Sequence, residues 1–234
     1  MDVAVLVHEG VSAAEALAPV EVLRAAPGVD VSFVAHRTGA HTTQGRPGVL
    51  VADRALEDLA HPDVVIVPGG LGVRRLVEDP VLLGWLAEAH RTSQWTAAVS
   101  TGALVLGAAG VLEGCSVSGH WLLLDELAGV GAHPSARRLV RHGRVVTAAG
   151  SASAFDLGVL LVEQAFGAEA AAEATGRLRA DPDGTRPRRR RHRSGPRRVD
   201  GRYVVDDPVD SARARRWRRR PRTGGSASAA RASS

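Results

Sequence analysis

Five places in the chain combine chemically useful residue types with a local pattern that could present them. The sharpest is Ala98-Val99-Ser100-Thr101-Gly102, a small-x-Ser-x-Gly outline that follows a short apolar run from Trp95 to Val99 and precedes helical spacing. Small residues on either side of a serine permit the tight strand-to-helix turn that exposes its hydroxyl, as in a nucleophile elbow. The same serine could simply cap the helix that follows. Pro68-Gly69-Gly70 ends a second apolar run, and Gly69, Gly70 and Leu71 could turn backbone amides toward an anion or oxyanion. An ordinary strand-to-helix turn reads equally well there. Glu15 lies three residues after Ser12, so it is a candidate acid or base and equally the second half of a capping box. His120 and Asp156 complete the set, and Ser100, His120 and Asp156 together have the residue types of a hydrolase triad.

These residues need a scaffold that gathers them, and the apolar pattern supplies one. Val3 to Val7, Val29 to Ala35, Asp63 to Val67 and Trp95 to Val99 are short, largely β-branched runs of the kind buried on both faces of a parallel sheet. Helical spacing separates them: from Ser12 through Leu23 despite Pro19, from Leu71 to Glu78, from Pro80 to His90 and from Thr101 to Gly110. Gly39 to Val51 reads as hairpin material. Cys115 to Gly119 reads as a short strand or turn, Leu122 to Leu127 as helix, and Arg138-Leu139-Val140-Arg141 with Arg144-Val145-Val146-Thr147 as a hairpin about His142-Gly143. One long final helix is expected from Ala154 to Ala174. Strands alternating with helices predict an α/β protein with a doubly wound, mostly parallel sheet in a flavodoxin-like three-layer sandwich. Open sheets of this kind do their chemistry at the carboxyl ends of the strands, where Gly69, Ser100 and the start of the first helix all fall.

The chain has 234 residues, and its net charge of +5 is unevenly divided. All 30 basic residues are arginine, and 17 of them lie from Asp181 to Ser234 against 6 acids, a local +11. Residues 1–180 then carry 13 arginines against 19 acids, or −6, so the high isoelectric point belongs to the tail. Residues 1–180 are read as the α/β domain and 181–234 as an Arg/Pro-rich tail, for which disorder is expected. Such a tail attracts nucleic acid through phosphate without sequence preference, although a tail with no dedicated function is the favoured reading. One cysteine, Cys115, excludes an internal disulfide framework. No cofactor is called for, and no Cys/His cluster has metal-ligand spacing. No apolar run approaches bilayer-spanning length, and a soluble cytoplasmic protein is expected.

Pro68-Gly69-Gly70, Ala98 to Ala103, Leu106 to Gly114, His120-Trp121, Val146 to Gly150 and Phe155-Asp156 occur together in this order and resemble the DJ-1/PfpI family of the class I glutamine amidotransferase-like superfamily. Gly10 to Leu23 is similar to the isonitrile hydratase branch, and to the sensor halves of related transcription regulators. The resemblance covers roughly residues 1–178. It implies a cysteine at the elbow beside an acid from the first helix; the matching positions here hold Ser100 and Glu15. It further implies an orienting hydroxyl at Thr101, oxyanion-binding amides near Gly70, a small-molecule substrate and a homodimer. Isonitrile hydration, or hydrolysis of a related small C–N compound, is the implied activity, with a non-catalytic ligand-binding or sensor domain as the alternative. Serine matters here: a thiol with a pKa of about 8.5 is partly ionised near neutrality, whereas a hydroxyl stays protonated and needs a base.

Overall fold

The computed structural model describes residues 1–45, 48–178 and, as backbone, 204–206. Residues 204–206 of the basic tail, expected to be disordered, form a strand; the rest of the tail, with its expected disorder and nucleic-acid contact, lies outside the described residues.

The sheet grows from the apolar runs. β1 (Asp2–Leu6) pairs in parallel with β2 (Asp30–Ala35) on one side and with β6 (Val64–Val67) on the other. β7 (Trp95–Val99) pairs in parallel with β6, and β11 (Val145–Ala148) with β7. β10 (Leu139–His142) returns antiparallel to β11 about Gly143, whose φ of 55° suits glycine. The short β5 (Arg54–Ala55) extends the β2 edge, and β12 (Val204–Asp206) runs parallel to β10. The order β12-β10-β11-β7-β6-β1-β2-β5 is mostly parallel, as expected. Successive strands move outward from β1 in opposite directions, first to β2 and then to β6. This leaves a crevice above the carboxyl ends of β1 and β6. Outside this sheet, β3 (Gly39–Thr42) and β4 (Val49–Ala52) form the expected hairpin, and β8 (Ser116–Val117) pairs with β9 (His133–Pro134).

Helices cover both faces, completing the three layers. α1 (Ala13–Ala25), α6 (Ser151–Phe166) and α7 (Ala168–Leu178) pack together over Val3, Val5, Ile66 and Val99. α2 (Val73–Leu76), α3 (Pro80–Thr92), α4 (Gly102–Ala108) and α5 (Leu124–Gly129) cover Ala4, Leu6, Val65 and Val67 on the other face. Burying both faces removes the alternation of apolar and polar residues that a half-exposed strand would show.

Three helix expectations need correction. The helix expected over Leu71 to Glu78 is a single turn, α2, because residues 69–72 form a strap against residues 10–12; Ser12 N–H donates to Gly69 O at 2.9 Å. The expected long final helix is two helices, parted at Gly167, whose φ of 96° takes the backbone out of helical geometry. The Ser12 side chain makes no capping bond to α1, so the capping box with Glu15 does not form. Among the described residues no helix is long and apolar enough to cross a membrane.

Candidate active site

Ser100 stands at the end of β7 with φ of 58°, the one non-glycine residue with positive φ among those described. A left-handed backbone costs an ordinary L-residue about 1–2 kcal/mol, so its neighbours must hold the turn. Ser100 N–H donates to Ala148 O on β11 at 2.7 Å, and Ser100 O accepts Ala103 N–H at 3.4 Å. Gly102 permits the close approach of α4 to β6: a Cβ there would lie 2.8 Å from Pro68 O. The N-cap position of α4 belongs to Thr101, so the serine is a strained elbow residue rather than a helix cap.

Glu15 enters from the first turn of α1 and is 5% exposed. Its Oε2 accepts Gly69 N–H at 2.9 Å and its Oε1 accepts the Ser151 hydroxyl at 3.2 Å. Burial pushes its pKa above the ordinary glutamate value; Gly69 N–H, the Ser151 hydroxyl, the Ser100 hydroxyl and the nearby His120 oppose that rise without cancelling it. The Glu15 carboxyl group and the elbow face the same crevice from opposite sides of Gly69. Gly69 fills the gap between them and Thr101: a Cβ on Gly69 would sit 2.7 Å from Glu15 Oε2 and 2.9 Å from Thr101 N.

The strap is arranged differently from the sequence-based expectation. Gly69 N–H is engaged by Glu15, and Gly70 N–H donates to Thr101 Oγ1 at 2.9 Å. Thr101 Oγ1 also donates to Gly70 O at 3.4 Å. These two amides therefore fix the acid and the strap instead of facing an open oxyanion hole, and Thr101 anchors the strap. Gly70 needs its φ of 140° to bring residues 10–12 this close. Leu71 is 81% exposed and lies on the rim.

His120 reaches the neighbourhood of the site without joining a triad. A Cβ on Gly119 would lie 3.6 Å from Ser100 O, which sets this segment beside the elbow. The His120 ring stacks on Trp121, and its Nδ1 accepts Leu122 N–H at 3.3 Å. Among the hydrogen bonds of the described residues, none joins His120 to Ser100 or to Asp156. Asp156 instead pairs with Arg138 at 3.1 Å, both side chains substantially exposed. The triad suggested by residue type does not assemble, because Asp156 sits at the outer end of the first turns of α6, beside Arg138.

Sequence reasoning missed Ser151. It is the first residue of α6 and looks like any first-turn serine; only the fold brings it to Glu15.

An acid and a strained hydroxyl above the strand ends of a doubly wound sheet define an elbow-type α/β protein. The chain belongs to the DJ-1/PfpI family, whose model matches residues 1–164. It is similar to the isonitrile hydratase of Pseudomonas putida, 34% identical over 153 residues, covering 65% of this chain and 67% of that protein. It is likewise 34% identical over 176 residues to the Parkinson disease protein 7 homolog of Danio rerio, covering 72% and 92%. Among solved structures, a ThiJ/PfpI family protein from Pseudomonas syringae superposes with a TM-score of 0.74 at 27% identity, covering 80% of this chain and 77% of that one.

Proposed function

We propose that the protein binds a small C–N compound of the isonitrile type in the crevice above Glu15 and Ser100, and hydrates it slowly to the N-substituted formamide. The observation that carries this reading is a buried carboxyl group, its pKa raised by burial, beside a strained hydroxyl at one strand-end crevice. The similarity to the Pseudomonas putida isonitrile hydratase supports the substrate class.

The chemistry suits an acid better than a nucleophile. The terminal carbon of an isonitrile carries a lone pair, and Glu15, its pKa raised by burial, retains a proton to give it at higher pH than an exposed glutamate would. Protonation makes that carbon electrophilic. A water molecule positioned by the Ser100 hydroxyl adds its oxygen to the carbon, and one water proton returns to Glu15. The resulting R–N=CH–OH tautomerises to R–NH–CHO, so the net change is the addition of one water. Thr101 holds the strap, and the Gly119-His120 segment lies beside the elbow.

The rate is limited by the attacking water: among the described residues no imidazole is hydrogen-bonded to Ser100, so only the weakly basic Glu15 carboxylate takes a proton from the water that Ser100 positions. The engaged Gly69 and Gly70 amides favour a second reading, a ligand-binding or sensor domain that keeps the pocket without turnover. The two part on one comparison: wild type and Ser100→Cys incubated with an alkyl isonitrile, with loss of the N≡C infrared stretch and gain of formamide as readouts. Slow product from the wild type supports hydration. Product from the cysteine variant alone assigns the wild type to binding, and neither product nor binding in both variants overturns both readings.

A homodimer is proposed as well, supported by Val49 and Val51, which point to one side of β4 and are 52% and 59% exposed. Light scattering would return twice the chain mass, and Val51→Asp would lower it toward one.

A further inference from the structure

Ser151 opens α6 but does not serve that helix's own terminus. Ser153 does: its Oγ donates to Gly150 O at 2.9 Å and accepts Gly150 N–H at 3.2 Å, and its N–H reaches Gly150 O at 2.9 Å. With the first turn closed in this way, the Ser151 hydroxyl crosses the crevice and donates to Glu15 Oε1 at 3.2 Å, linking residues 136 positions apart in the chain. The other carboxyl oxygen accepts Gly69 N–H at 2.9 Å. Donors from two separate elements, the strap after β6 and the start of α6, thus grip the two oxygens from different sides.

That double grip has a geometric consequence. The terminal torsion of a glutamate is broad and close to two-fold, so a single donor leaves the carboxyl plane free to swing. Two donors on different oxygens fix it. The carboxyl group so fixed faces the elbow, whose Ser100 hydroxyl comes from a third element, the end of β7. Ser151 also faces solvent on its other side, so the hydroxyl can be removed without opening a buried cavity.

We propose that Ser151 is a positioning residue of this site, whose hydroxyl sets the orientation in which the Glu15 carboxyl group meets Ser100. The inference deepens the reading of Glu15 and Ser100 as the functional pair, but it stands on a contact that needs no ligand. A hydrogen bond donated to a carboxylate stabilises the charged form, so losing it makes the proton harder to remove.

The test is a carbon-13 NMR titration of the Glu15 carboxyl group in the full chain, its resonance assigned by its disappearance in Glu15→Gln. Ser151→Ala should move the midpoint to higher pH. Ser151→Thr, which keeps the hydroxyl, should bring it back toward wild type, a recovery that loss of bulk alone would not give. An alanine variant that titrates like wild type, or a threonine variant that titrates like alanine, overturns the proposal. Because no isonitrile is present, this experiment can fail while the hydration reading stands, and the hydration assay can fail while the contact stands.

Discussion

Replacing Ser100 by glycine and by alanine isolates the strain at the elbow. Both variants lack the hydroxyl, so its interaction with Glu15 is absent from each and drops out of the comparison. They differ in the backbone: with φ of 58°, alanine keeps the left-handed penalty of about 1–2 kcal/mol, and glycine does not. Glycine gives back about 0.4–1 kcal/mol through the greater freedom of the unfolded chain. The glycine variant should therefore be the more stable by about 0.5–1 kcal/mol, which for a domain of this size is a rise of about 1–4 °C in Tm. In an ordinary strand or helix the sign reverses, because alanine to glycine there costs about 0.5–1 kcal/mol. Thermal and urea unfolding of the two variants, side by side, decide the sign. A glycine variant less stable than the alanine variant would refute the strained elbow and, with it, the claim that the fold holds residue 100 in place for a purpose.

Three further outcomes follow from the site. Burial raises the Glu15 pKa, so the folded chain keeps a proton that the unfolded chain releases. Relative to Glu15→Gln, wild-type stability should be greatest below the ordinary glutamate value and fall as pH rises through the raised one; denaturation across a pH series that shows a flat or rising difference contradicts the assignment. Gly69→Ala places a methyl group 2.7 Å from Glu15 Oε2 and should destabilise the fold by about 1–3 kcal/mol while abolishing ligand binding, as read by urea unfolding and calorimetry. Asp156→Asn breaks only the exposed pair with Arg138 and should leave turnover within about twofold of wild type, whereas a large loss would reinstate the triad.

Much of the scaffold was legible because its signals are local. Val3–Val7 and Val64–Val67 are uninterrupted apolar runs and Trp95–Val99 is broken only by Thr96, and a strand buried on both faces leaves that trace. Ser100 was only half legible: the small residues at 98 and 102 suit an elbow, but a serine before a helix reads more readily as its cap, and only its positive φ decides against that. Glu15 was ambiguous because the Ser12-to-Glu15 spacing serves a capping box as well as a crevice. What decides between them is Gly69 N–H, which arrives from β6 and leaves no mark near residue 15. The amides of Gly69 and Gly70 were placed correctly but given the wrong partners, since the sequence pattern of a glycine strap is the same whether it faces a ligand or a side chain. Ser151 had no distinguishing signal, and Gly167 lies inside an apolar spacing that runs on through Ala174. Tertiary contacts settled each of these.

Formamide formation from an alkyl isonitrile by wild type and by Glu15→Gln, at one pH and matched protein concentration, tests the pairing of Glu15 with Ser100 most directly. Glutamine keeps the acceptor for Gly69 N–H and cannot deliver a proton, so the wild type should form formamide slowly and the glutamine variant should stay at the rate of the buffer. Equal rates in the two would contradict the role given to Glu15.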